Sequence, residues 1–101
     1  MKYFVLTASV LMAGPAMAQT DEKAESCGYQ GDVVAAVQKA RLNRVRERKV
    51  NDRILAQDNN WPEKYNAVIP LVTPWVYEMD RSDLKEDLRE VWVTACVAQQ
   101  P

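Results

Sequence analysis

The sequence predicts an all-α fold: a small helical bundle of four to five short helices closed by one disulfide. Three observations predict it. Apolar residues between Asp32 and Thr94 recur at helical spacing, and no stretch alternates apolar and polar cleanly enough to read as a strand. Only two cysteines are present, Cys27 and Cys96, near opposite ends of that region. The first eighteen residues carry the pattern of an export signal, which places the thiols where a disulfide forms and persists.

The export signal is read residue by residue. Lys2 supplies a positive start, and Tyr3 to Ala13 is an apolar stretch too short to span a bilayer. Gly14 and Pro15 break it, and Ala16-Met17-Ala18 is a small-x-small cleavage site. Removing the first eighteen of 101 residues leaves 83, with twelve Lys and Arg against fourteen Asp and Glu, a formal charge of −2. That balance excludes a nucleic-acid binder as the default reading. A chain of this length buries a modest fraction of its surface, so a covalent tie is useful. The expected organisation is a signal peptide over 1–18, a flexible polar arm over 19–26, a single helical domain over 27–98 and a short tail over 99–101. The expected location is the periplasm or the cell exterior.

Within the domain, the first helix is expected to open near Gly28 to Asp32, with Asp32 as its N-cap. Val33, Val34, Val37 and Ala40 form its buried face. Continued as one helix, that face would next meet Arg44 and Arg48, so a break is expected near Leu42 to Arg46, with Asn43 left-handed at the helix end. A second helix should run from Arg46 to Gln57 and bury Val50, Ile54 and Leu55. After a turn at Asp58-Asn59-Asn60, Pro62 suits the first position of a third helix with Trp61, Tyr65, Val68, Ile69 and Val72 as its stripe. Pro70 should kink or interrupt it, and Thr73-Pro74 should cap a short helix through Met79. Ser82 should cap the last helix, whose stripe is Leu84, Leu88, Val91, Trp92 and Ala95. If the first and last helices run antiparallel, Cys27 and Cys96 meet at one end of the bundle. Across such a loop the chain-entropy model gives a cross-link about 4 kcal/mol.

The chemistry is defined as much by what is missing. The chain has no histidine, so the commonest general base and metal ligand are absent. No glycine-rich phosphate loop, calcium loop or Cys-x-x-Cys pair occurs. The carboxylates four apart, Asp83 with Asp87 and Glu86 with Glu90, read as a solvated acidic face. No catalytic residue, metal site or cofactor is therefore assigned, and the expected function is not enzymatic.

Charge placement is the most suggestive feature. Lys39, Arg41, Arg44, Arg46, Arg48, Lys49 and Arg53 oppose only Glu47 and Asp52, a local charge of +5. From Ile54 to Pro101 the balance is four basic to eight acidic. The plain explanation is that the basic segment lies against the acidic last helix. The functional one makes Arg41, Arg44, Arg46, Arg48, Lys49 and Arg53 a surface for an anionic protein or envelope component, since guanidinium forks suit carboxylate and phosphate. Arg41 lies at the edge of the first helix's apolar face, where its stem can pack while its head finds a carboxylate. The expected function is accordingly an interaction module. The alternative is an acid- or stress-activated holdase. The plan of a short exported helical protein with two cysteines is similar to the small acid-stress chaperones of the bacterial periplasm, and this likeness of architecture implies the holding of unfolded clients at low pH.

Overall fold

The computed structural model describes residues 9–99, with side chains from Asp21 onward. The first part of the expected signal peptide, residues 1–8, lies outside the described residues. Four α-helices and three 3-10 turns make an all-α bundle, with no strand among the described residues. Helix α1 spans Ser9–Leu42, α2 Val50–Leu55, α3 Val68–Tyr77 and α4 Leu88–Ala98. Single 3-10 turns, Glu47–Lys49, Glu63–Ala67 and Asp83–Lys85, precede α2, α3 and α4 respectively.

Helix α1 is the spine, and it departs from the sequence reading in where it starts: it does not begin at Asp32, and it runs through Gly14 and Pro15, which were expected to break the leader, and through 19–26, expected as a polar arm. Gly28 and Gly31 are helical residues, and Gly31 is buried because α4 crosses close above it. A Cβ at Gly31 would meet Val93 Cγ2 at 2.6 Å and Arg89 Cγ at 3.0 Å. That glycine is a contact point between helices, not a helix breaker.

Helix α4 runs antiparallel to α1. Going up α1, Cys27, Gln30, Asp32 and Gln38 meet Cys96, Trp92, Arg89 and Leu84 in descending order. The expected disulfide joins Cys27 to Cys96 across a Cα–Cα distance of 5.8 Å, and the Cys27 side is buried. Helix α3 runs parallel to α1 on its other flank: the Tyr29 ring lies 5.2 Å from the tilted ring of Tyr65, in the 3-10 turn that leads into α3, and Arg41 binds Tyr77 at the far end. Trp75 and Trp92, 5.6 Å apart, join α3 to α4.

The core is largely the expected one. Val33, Val34 and Val37 from α1, Val50 and Ile54 from α2, and Ile69, Val72 and Val76 from α3 are essentially inaccessible. Trp61 closes one edge, its indole N–H donating to Asn66 Oδ1 at 2.8 Å. The second helix, expected from Arg46 to Gln57, is α-helical only over Val50–Leu55, and Leu55, Val91 and Ala95, expected inside, are exposed.

All three proline expectations shift, since Pro62 precedes the 3-10 turn Glu63–Ala67 rather than opening the third α-helix. Helix α3 starts at Val68, so Pro70 falls in its first turn, where an N–H would have no helical partner. Pro74 lies inside the helix rather than starting a new one, and Thr73 does not cap. Thr73 is buried and donates its hydroxyl back to the Ile69 carbonyl at 2.6 Å. Pro70 and Pro74 are both exposed.

The last helix also starts later than expected. Ser82 makes no side-chain cap, and the chain extends at Glu86 and Asp87 before α4 begins. Asp87 is the N-cap, accepting from the Glu90 amide at 3.1 Å. Asp83 and Asp87 therefore do not share a helix face, and all four carboxylates of the pairs noted above are exposed.

Candidate functional site

The C-terminal end of α1 builds the site. Its last turn closes in a Schellman arrangement: the Val45 amide reaches the Ala40 carbonyl at 3.0 Å and the Arg44 amide reaches Arg41 at 2.9 Å. Ala40 and Val45, the apolar pair of that motif, are both buried. The left-handed residue is Arg44, with φ 64°, and not Asn43. Chain reversal at this point was legible; the residue that bears it was not. A left-handed position favours glycine because a Cβ crowds the following carbonyl, at a cost of about 1 kcal/mol for an ordinary residue.

Arg41 is held from the other side. Its guanidinium donates to the carbonyls of Tyr77 and of Met79, the latter at 3.0 Å, and lies 5.3 Å from the Tyr77 ring centre. Its stem packs as expected, but its head binds backbone carbonyls in place of a carboxylate. These belong to the C-terminal end of α3 and the turn after it, where partial negative charge collects. Tyr77 completes the joint by donating its hydroxyl to the Val45 carbonyl at 2.6 Å. Burial pushes the Tyr77 phenol above its ordinary value; Arg41 opposes this and Glu47 adds to it.

The third wall comes from the 3-10 segment before α4. Gln38 of α1 donates to the carbonyls of Leu84 and Glu86, each at 2.8 Å, and clamps this segment to the helix. Buried Leu84 anchors it from below. The clamp sets Arg81, Ser82 and Lys85 opposite the end of α1.

The result is a cleft of about 530 Å3 lined by Arg41, Leu42, Arg44, Val45, Tyr77, Arg81, Ser82, Leu84 and Lys85. Four cations face it and no carboxylate lines it. Among the described residues one ion pair forms, Arg89 with Asp32 at 2.7 Å, far along α1 from this cleft. The basic segment is thus not neutralised by direct pairing with the acidic last third of the chain. Arg44, Arg81 and Lys85 are exposed and make no side-chain hydrogen bond among the described residues.

Of the six cations singled out from sequence, the structure brings Arg41 and Arg44 to the cleft. Arg53 lies on a separate, more polar cleft of about 350 Å3 with Lys39 and Asp32. Arg46, Arg48 and Lys49 line neither cleft and stand exposed in and just before the turn that precedes α2. Arg81 and Lys85 were missed, because in sequence they are interleaved with Asp80, Asp83 and Glu86 and read as part of an acidic region. No local signal marked them, because this stretch is not a continuous α-helix on which a spacing of four would give a shared face. Among the described residues, no three Cys, Asp or Glu side chains converge in a way that would hold a metal ion, and no helix is long and apolar enough to cross a membrane. No protein-family model, curated protein or solved structure shows a significant match to this chain.

Proposed function

We propose that this protein is a non-enzymatic interaction module, exported to the periplasm or cell exterior after loss of residues 1–18, that binds an anionic partner in the cleft at the end of α1. One observation carries the reading: two distant chain segments converge four cations on one cleft without a lining carboxylate. The backbone at Arg44 supports it. A glycine there would relieve about 1 kcal/mol of left-handed strain, yet an arginine occupies the position and lines the cleft. The disulfide supports the compartment, since such bonds persist in oxidising surroundings.

The test is an affinity capture from envelope extract with three baits. The unmodified protein and an Arg46→Glu/Arg48→Glu variant should retain the same component, and an Arg81→Glu/Lys85→Glu variant should lose it. The two variants change net charge equally, so equal loss from both would reduce the binding to bulk electrostatics and sink the assignment of the cleft. Retention of nothing by the unmodified protein would sink the reading altogether.

A further inference from the structure

The geometry points to a phosphorylated lipid as the occupant of this cleft, with its phosphate on Arg44, Arg81 and Lys85 and its chain along Leu42. The inference rests on the cleft being the binding site and specifies what fills it.

Charge is the first argument. Arg41 is committed to the carbonyls at the end of α3, which leaves three cations for a ligand. A carboxylate brings a single charge, whereas a phosphate monoester brings about −1.5 to −2 and three strong acceptor oxygens. Two guanidinium forks and one ammonium match that oxygen set, and the Ser82 hydroxyl, which caps no helix, adds a neutral donor.

The apolar wall is the second. Leu42 is 57% exposed at the mouth of the cleft, on the last residue of α1, beside buried Val45 and Leu84. A free inorganic anion gains nothing from that surface. An acyl chain attached to the anion covers it and gains from leaving water. The volume of about 530 Å3 falls within the range of small-ligand clefts, roughly 300 to 1,000 Å3.

An acidic peptide is the competing occupant. To match the charge it must bring two or three carboxylates into one cleft, where they repel each other. Nor does the all-helical fold offer, among the described residues, a strand edge to hold an extended backbone.

The experiment is calorimetric titration of the full chain with dihexanoyl phosphatidic acid as a monomer. Inorganic phosphate, dihexanoyl phosphatidylcholine and a tetra-glutamate amphipathic peptide serve as comparisons. The phosphatidic acid should bind at least about tenfold tighter than phosphate or the choline lipid, as expected for adding charge-assisted bonds to apolar cover. Arg81→Gln/Lys85→Gln should weaken it about tenfold or more. These side chains are exposed and make no hydrogen bond among the described residues, so the variant should fold as the parent does, with an unchanged far-UV spectrum. Leu42→Ser should narrow the difference between phosphatidic acid and phosphate. Equal affinity for phosphatidic acid and phosphate, or indifference to both variants, would overturn the lipid. Binding of the peptide alone, lost in Arg81→Gln/Lys85→Gln, would overturn the lipid and leave the anion-binding cleft standing. No response to any of the probes would overturn both.

Discussion

The crossing of α1 and α4 at Gly31 makes a prediction whose sign is decided by magnitudes. Gly28 and Gly31, the two glycines of α1 nearest its valine face, are helical, so replacing either by alanine gains about 0.5–1 kcal/mol of backbone entropy and helix propensity. At Gly28 nothing opposes that gain, because the new methyl would meet only an Arg89 Nη2 atom at 3.6 Å, an ordinary contact. At Gly31 the same methyl would sit 2.6 Å from Val93 Cγ2, 3.0 Å from Arg89 Cγ and 3.4 Å from the Arg89 carbonyl. Valine is stiff at χ1, and the nearby carbonyl is backbone, so the helices must separate. Overpacking of this kind costs about 1–3 kcal/mol, which exceeds the propensity gain. The expected outcome is that Gly28→Ala raises stability by about 0.5–1 kcal/mol while Gly31→Ala lowers it by about 1–2 kcal/mol. Urea unfolding with the disulfide intact measures both, as midpoint shifts of opposite sign at constant slope. The double variant Gly31→Ala/Val93→Ala should recover part of the loss, since it removes the atom in conflict. A Gly31→Ala protein as stable as the Gly28→Ala protein would refute the close crossing of α1 and α4.

Four further outcomes follow from the same contacts. Cys27→Ser/Cys96→Ser should lower the unfolding free energy by about 4 kcal/mol, the chain-entropy value for a tie spanning 69 positions, read from the shift in the denaturant midpoint. Arg44→Gly should raise stability by about 1 kcal/mol in the same assay while weakening capture of anions; a destabilised Arg44→Gly would mean that the side chain, not the turn, holds this end of α1. Asp87→Ala should cost about 1 kcal/mol, measured by thermal unfolding, because it strips the side-chain acceptor from the Glu90 amide. Tyr77, held above its ordinary value chiefly by burial, contributes stability that is complete below a pH of about 10 and falls as pH rises past it, since the unfolded chain then loses the proton first. Unfolding curves across that range should show the decline in the parent and a smaller one in Tyr77→Phe.

The helical class, the pairing of Cys27 with Cys96, the chain reversal after Leu42 and most of the valine core are legible in the amino-acid order alone. These follow from local periodicity, from a choice of only one disulfide partner, and from the conflict between the face of Val33, Val34 and Val37 and the arginines that follow it. Where the helices begin depends on contacts between them. Glycine and proline read locally as breaks, but Gly31 is a helical contact because α4 lies over it, and Pro70 is harmless because α3 starts two residues before it. The cleft was only half legible for a related reason. Arg41 and Arg44 stand out in a run of like charge, whereas Arg81 and Lys85 are hidden among acidic neighbours until Gln38 fastens their segment to α1. Charge along a chain can be counted from its letters, but which charges share one volume depends on contacts between residues some forty positions apart.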